Sequence, residues 1–157
     1  RTYKYNESIS DWKFAFNNNF YCFTNLLECY LDEFKKKPTK IVVISSIAST
    51  KITKAPITYS VAKSALNFYA KIKAKQLAEF DIRINILLPG NILMKGNNWS
   101  KKIKKNSKKV KEYIKENVPL NKFCDPDQIS LICDYLFSKA GDNITGSMFT
   151  IDGGETL

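Results

Sequence analysis

Lys40-Ile41-Val42-Val43-Ile44-Ser45-Ser46 and, twelve residues further on, Tyr59-Ser60-Val61-Ala62-Lys63 are the two stretches whose reading decides the fold. The first is a β-branched run without polar alternation, the pattern of a strand buried on both faces of a parallel sheet. The second sets a phenol and an ammonium four residues apart, on one face of a helix. The spacing of Ala62, Ala65, Leu66, Tyr69, Ile72 and Leu77 predicts that helix from about Thr58 to Glu79. Downstream, Ile82 to Leu88 reads as a second buried strand stopped by Pro89-Gly90, and Met148-Phe149-Thr150-Ile151 as a last one before Asp152-Gly153-Gly154. Upstream, Ile9, Trp12, Phe16, Phe20, Phe23, Leu27, Tyr30 and Phe34 recur every three or four positions. They predict one long helix with Ser8 or Ser10 as N-cap, closed by Lys35-Lys36-Lys37 and Pro38. Ser100 to Asn117 reads as one very basic helix, Asn91 to Ser100 as a mobile loop over a site, and Asp125-Pro126 as the start of a helix to about Ser138. This order of elements is α/β, with parallel strands and helices on both faces.

Composition narrows the functions. The 157 residues suffice for one domain with a sizeable core, and no apolar run nears the ~20 residues that span a bilayer. The chain opens at Arg1 with no signal peptide, which reads as a piece of something longer. Its net charge of +10 is carried almost wholly by lysine, since only Arg1 and Arg83 are arginine, and no nucleic-acid motif accompanies it. Cys22, Cys29, Cys124 and Cys133 form no CxxC pair and read as buried free thiols in a reducing, cytoplasmic compartment. The absence of histidine removes Ser-His-Asp triads, HExxH zinc sites and any imidazole base.

The chemistry must then rest on Tyr, Lys, Ser, Cys or carboxylates. Tyr-x-x-x-Lys occurs three times, at Tyr59/Lys63, Tyr69/Lys73 and Tyr135/Lys139. Only Tyr59 has a serine, Ser46, thirteen positions upstream; the other two copies have Pro56 and Lys122 there. Ser46 ends a predicted strand, where the reactive crevice of an open α/β sheet lies. Tyr69 and Tyr135 read instead as core tyrosines beside surface lysines. Reducing a carbonyl by hydride leaves an alkoxide that needs a proton, and the reverse reaction needs a base. A phenol of pKa about 10 serves as that base only if nearby cations, Lys63 first among them, favour its phenolate. Ser46 would hydrogen-bond the substrate oxygen.

Ser46 with Tyr59-x-x-x-Lys63 resembles the short-chain dehydrogenase/reductase family, and the resemblance covers nearly the whole chain. It implies a partial Rossmann-like, doubly wound parallel sheet with flanking helices. Residues 1–157 would then be the C-terminal portion of a single NAD(P)-binding oxidoreductase domain. Asp11-Trp12 and Asn19-Phe20 look like the helix whose asparagine completes the family's catalytic tetrad, which makes Asn19, Ser46, Tyr59 and Lys63 the implied catalytic set. Three asparagines in a row (Asn17, Asn18, Asn19) are poor helix formers, which supports a functional reason for one of them. Arg83 to Gly90 is similar to the strand and turn that abut the nicotinamide, so the implied cofactor contacts are Tyr59, Lys63, Pro89, Gly90 and the backbone of Ile92. Asn143 to Gly154 looks like the family's C-terminal signature, although for Gly153-Gly154 alone a tight turn suffices.

The implied function is an NAD- or NADP-dependent interconversion of an alcohol and a carbonyl by a homodimer or homotetramer, with no metal, membrane or specific nucleic acid. The run from Pro89 to Leu93, followed by Gly96, Asn97 and Trp99, is similar to members linked to bacterial surface sugars and hints at a sugar or sugar-derived substrate. Two departures stand out. The family's threonine after Pro-Gly is missing from Asn91-Ile92-Leu93-Met94-Lys95-Gly96, and no Gly-x-x-x-Gly-x-Gly occurs in the chain. These residues alone are therefore expected to be poorly stable, with an open sheet edge, and to lack dinucleotide affinity. The alternative is an inactive remnant that dimerises through the helices at 9–34 and 58–79. A polyanion-binding reading of Lys101, Lys102, Lys104, Lys105, Lys108, Lys109, Lys111 and Lys115 is weaker, because these lysines run too widely around a helix to form one stripe.

Overall fold

A computed structural model describes residues 6–157, so Arg1 lies outside it. Strands β1 (Thr39–Ile44), β2 (Ile82–Pro89) and β3 (Met148–Ile151) form one sheet in the order β1-β2-β3. Both pairings are parallel, with Ile44 opposite Leu87 and Ile151 opposite Pro89, so the carboxyl ends gather on one side of the domain. Central β2 is buried along nearly its whole length, as its unbroken apolar run requires. β1 differs from the expectation: only Val43 is fully buried, and Ile44 is 44% exposed. The reason is position, since β1 is an edge strand whose outer side meets no described strand.

Helices cover both faces. Helix α1 (Ile9–Phe16) runs through a wide π turn at Asn17–Tyr21 into α2 (Cys22–Phe34), and α3 is Ile57–Leu77. Leu27, Leu66, Ala70 and Ala74 from this layer pack on Ile41, Val43, Ile84, Ile86 and Leu88. On the opposite face lies α6 (Pro126–Phe137), opened by an Asp125/Gln128 capping box with Pro126 at its first turn. There Lys40 Nζ donates to the Phe137 and Ser138 carbonyls and pairs with Asp142.

Three expectations are corrected. The basic stretch is two helices, α4 (Asn98–Lys105) and α5 (Ser107–Asn117), because Asn106 is extended (φ −160°, ψ 87°) and its side chain accepts from the Lys109 N–H. An asparagine gains more as a cap than inside a helix. A π turn interrupts the expected single helix; within α1 Ala15 is buried, Trp12 and Phe16 are half-buried as their spacing predicts, and Ile9 is exposed. All four cysteines are free, but Cys22 and Cys29 are exposed and only Cys124 is buried. Among the described residues no helix is long and apolar enough to cross a membrane, and no side-chain group could hold a metal ion.

Candidate active site

The site starts where β1 ends. Ser46 is extended (φ −165°, ψ 154°) and its Oγ accepts from the Ala48 N–H at 3.2 Å, capping the 3₁₀ turn Ile47–Ser49. That bond occupies an acceptor of the hydroxyl and leaves its hydrogen for another oxygen. The turn is tied down from α3: Asn67 Nδ2 donates to Ser49 Oγ (2.7 Å), Ser49 Oγ donates to the Ser46 carbonyl (2.5 Å), and Ser64 Oγ donates to the Ser49 carbonyl (2.6 Å). Sequence reasoning missed Ser49, Ser64 and Asn67. The only signal was a polar Asn67 among apolar positions of α3.

Tyr59 lies in the first turn of α3 and Lys63 one turn later, its Nζ 5.9 Å from the centre of the Tyr59 ring. Lys63 Nζ donates to the Ile44 carbonyl at 2.9 Å, which stitches α3 to the end of β1 two residues before Ser46. Burial pushes the Lys63 ammonium below its ordinary pKa, with a smaller upward pull from Cys22. Lys63 forms no ion pair with any described carboxylate.

Asn19 sits in the π turn. Asn18 Nδ2 and Asn19 Nδ2 donate to the Phe14 and Ala15 carbonyls at 2.8 and 2.9 Å, and the Cys22 thiol donates to the Asn18 carbonyl. The wide turn leaves a carbonyl short of its usual donor, and short polar side chains compensate. Such turns concentrate at functional sites. A cavity of about 1500 Å³ brings Asn19 and Tyr59 together with the segment 48–58, Ser60 and Ser64. Ser46, Lys63, Pro89, Gly90 and Ile92 do not line it.

Pro89 and Gly90 close β2 beside the β1 terminus. Gly90 N–H donates to the Ile151 carbonyl, and a Cβ there would meet Asp152 Cβ at 2.8 Å, so close packing on β3 already accounts for the glycine. Ile92 bridges to Cys124, and its carbonyl accepts from Asn97 Nδ2 at 2.7 Å. The loop expected to be irregular is thus pinned at both ends, by Cys124 and by the Asn97 cap of α4. A further cluster escaped the sequence. Asn91 Nδ2 and Tyr113 Oη both donate to the Glu155 carboxylate, and Trp99 Nε1 donates to Asn91 Oδ1. Asp152 accepts from the Gly154 and Thr156 N–H groups, and positive φ at Gly153 and Gly154 makes that pair a tight turn.

The two duplicates behave differently. Tyr69 Oη donates to Glu28 Oε1 (2.9 Å), and Lys73 pairs with the same oxygen (2.7 Å). Burial and the Glu28 carboxylate push the Tyr69 phenol well above its ordinary value. Tyr135, expected in the core, is exposed on α6.

A family model described as Enoyl-(Acyl carrier protein) reductase matches residues 4–156. A 3-oxoacyl-(acyl-carrier-protein) reductase of Buchnera aphidicola is 27% identical over 150 residues, covering 95% of this chain and 59% of its own length. A solved oxidoreductase of the short chain dehydrogenase/reductase family from Burkholderia thailandensis superposes with TM-score 0.85 at 25% identity, over 98% of this chain and 59% of that one. For 4-hydroxyisoleucine dehydrogenase complexed with NADH the values are 0.84 and 28%, over 95% and 60%. The chain spans about six tenths of the length of these relatives.

Proposed function

This chain belongs to the short-chain dehydrogenase/reductase family, and from that membership we propose that it carries the proton-transfer site of an NAD(P)-dependent enzyme interconverting an alcohol and a carbonyl. The observation that carries the reading is Lys63: an ammonium beside the Tyr59 ring, fixed on the Ile44 carbonyl and unpaired with any described carboxylate. A lysine neutralised by a carboxylate could not serve a phenol in this way, and this one is held by a carbonyl instead.

The donor set fits the nicotinamide–ribose end of a dinucleotide. Lys63 spends one of its three N–H groups on Ile44, which leaves two that would serve ribose hydroxyls, and the Ile92 N–H would serve the carboxamide while its carbonyl is already held by Asn97. Pro89 and Gly90, at the close of β2, would flank that end. When bound, the nicotinamide supplies or accepts the hydride. In the reducing direction Tyr59 delivers its phenolic proton to the substrate oxygen as that oxygen gains charge, and Ser46, its acceptor side occupied by Ala48, donates to the same oxygen. Lys63 would stabilise the phenolate left behind, and Asn19 lines the same cavity as Tyr59. In the oxidising direction the same phenolate takes the alcohol proton.

Assembly as a homodimer or homotetramer is supported by apolar side chains left on the α1–α3 layer, with Phe14 71% and Phe68 70% exposed. The same surface supports the second reading, a dimerising module without catalysis. Free thiols favour a reducing compartment such as the cytoplasm. Residues 1–157 contain no glycine-rich phosphate turn, and by themselves they are expected to show no micromolar dinucleotide binding.

Replacing Tyr59 by Phe in the protein that carries this chain decides between the two readings. Turnover should fall by about 10²–10⁴-fold with cofactor binding unchanged. Activity within tenfold of the parent would remove Tyr59 from its assigned role.

A further inference from the structure

The turn that follows β3 reaches back to both loops of the crevice. Glu155, half-buried in that turn, accepts through its carboxylate from Asn91 Nδ2 (2.8 and 2.9 Å) and from Tyr113 Oη (3.0 Å). A Cβ added at Gly90 would stand 3.3 Å from Glu155 Oε2, so the carboxylate lies against the Pro89-Gly90 close of β2. The backbone carbonyl of Glu155 accepts from Lys51 Nζ, and Lys51 lines the cavity that holds Tyr59. One residue thus ties the loop after β2 to the loop after β1.

Asn91 is held at both ends of its side chain and at its backbone carbonyl. Its Nδ2 goes to Glu155, its Oδ1 accepts from Trp99 Nε1 at 2.9 Å, and its carbonyl accepts from the Cys124 N–H at 2.9 Å. The Leu93 N–H donates to the Cys124 carbonyl at 3.1 Å, so the parallel bridge between Ile92 and Cys124 uses the groups on either side of Ile92. In such a bridge the N–H and C=O of the central residue point the other way. The Ile92 carbonyl does so, accepting from Asn97 Nδ2. The Ile92 N–H shares a planar trans peptide with the Asn91 carbonyl and is directed opposite to it. Whatever orients Asn91 therefore aims the Ile92 N–H.

We propose that Glu155 is a positioning residue for the dinucleotide: through Asn91 it aims the Ile92 N–H at the nicotinamide carboxamide, and through Lys51 it ties that contact to the wall of the Tyr59 cavity. The proposal rests on the oxidoreductase reading above. Glu155 touches neither cofactor nor substrate in this role and acts through Asn91. A hydrogen bond to a carboxylate is stronger than one between neutral groups, and removing Glu155 takes a shared acceptor from Asn91 and Tyr113 at once.

In the protein that carries this chain, Glu155→Ala should raise the Kd for NADH or NADPH by about tenfold, as the loss of one charge-assisted hydrogen bond would. Turnover at saturating dinucleotide should fall by less than about threefold. Glu155→Gln keeps an oxygen acceptor and should bring Kd back to within about threefold of the parent. Asn91→Ala should match Glu155→Ala, and the double variant should bind no more weakly than either, because the two residues act as one unit. With no dinucleotide present, the Leu93 and Cys124 amides of the bridge should exchange with D2O about tenfold faster in Glu155→Ala. Tyr69→Phe, which loosens the contact between α2 and α3, should leave Kd and both amides unchanged. A parent Kd in Glu155→Ala, an equal rise in Tyr69→Phe, or no recovery in Glu155→Gln overturns the proposal and leaves the oxidoreductase reading to its own Tyr59→Phe test. If Glu155→Ala does not fold, Asn91→Ala decides, and a parent Kd there overturns the proposal. The expected Kd pattern with parent activity in Tyr59→Phe upholds Glu155 in its role and removes Tyr59 from its own. A parent protein that binds neither dinucleotide removes both.

Discussion

Helix α3 carries two tyrosine–lysine pairs of identical spacing, ten residues apart, and their surroundings give them opposite characters. Tyr59 lines a large cavity, and its lysine is held by a carbonyl, a neutral acceptor that leaves the positive charge intact. Tyr69 faces α2, where Glu28 takes both the phenolic proton's hydrogen bond and the lysine's charge. A carboxylate that accepts from a phenol stabilises its neutral form, so the second pair is a structural clasp between α2 and α3, further walled by Phe20 and Phe23. Spacing places the two groups on one face. The element packed opposite decides whether the lysine's charge stays open or is taken up by a carboxylate.

The sharpest way to break this contrast is at the lysines. Lys63→Met should cost about 10²-fold or more in kcat/KM, because the phenolate loses its neighbouring cation. Lys73→Met should leave kcat/KM within about threefold and act only on stability. Equal losses in the two variants would erase the distinction. A smaller effect is expected from Tyr69→Phe, which forfeits the bond to partly exposed Glu28: about 1 kcal/mol in denaturant unfolding, with unchanged turnover.

The subtlest difference lies in alkaline titration. The Tyr69 pKa is raised in the folded chain, so its contribution to stability is complete below the ordinary value of 10.0 and is lost as pH climbs towards the folded value. Lys63 works the other way. Its folded pKa is lowered by burial, so below the ordinary 10.5 the unfolded chain binds more protons and stability rises with pH across that window. Melting curves between about pH 8 and 11 should therefore fall less steeply for Tyr69→Phe than for the parent, and more steeply for Lys63→Met. Parallel curves for all three proteins would contradict both shifts.

Most of the sheet was legible because buried parallel strands write themselves as apolar runs, and the ends of β2 and β3 carry Pro89-Gly90 and Asp152-Gly153-Gly154 as stops. Ser46, Tyr59 and Lys63 were singled out by their separation along the chain, and the fold places Ser46 and Lys63 at the same end of β1. Other features depended on partners distant in sequence. Nothing near Tyr69 announces Glu28, 41 residues away, and nothing near Asn91 announces Glu155, 64 residues away. The break at Asn106 was hidden because a lysine-rich stretch has helical propensity on both sides of it. The edge position of β1 follows from pairing, which periodicity does not encode.

The wide turn at Asn17–Tyr21 has a consequence for chain length. A π turn absorbs one residue beyond what an α-helix needs to cover the same rotation. Deleting one of the three asparagines would let α1 run into α2 as a plain helix, with Leu27 still seated on the sheet and Glu28 still opposite Tyr69. The part of the core below the turn would keep its seats, while α1 would rotate by about 100° against α2, so that buried Ala15 and Asn19 would both lose their placement. The extra residue of the turn thus sets the rotation of α1 against α2, and Asn19 stands at the point where the helix takes it up.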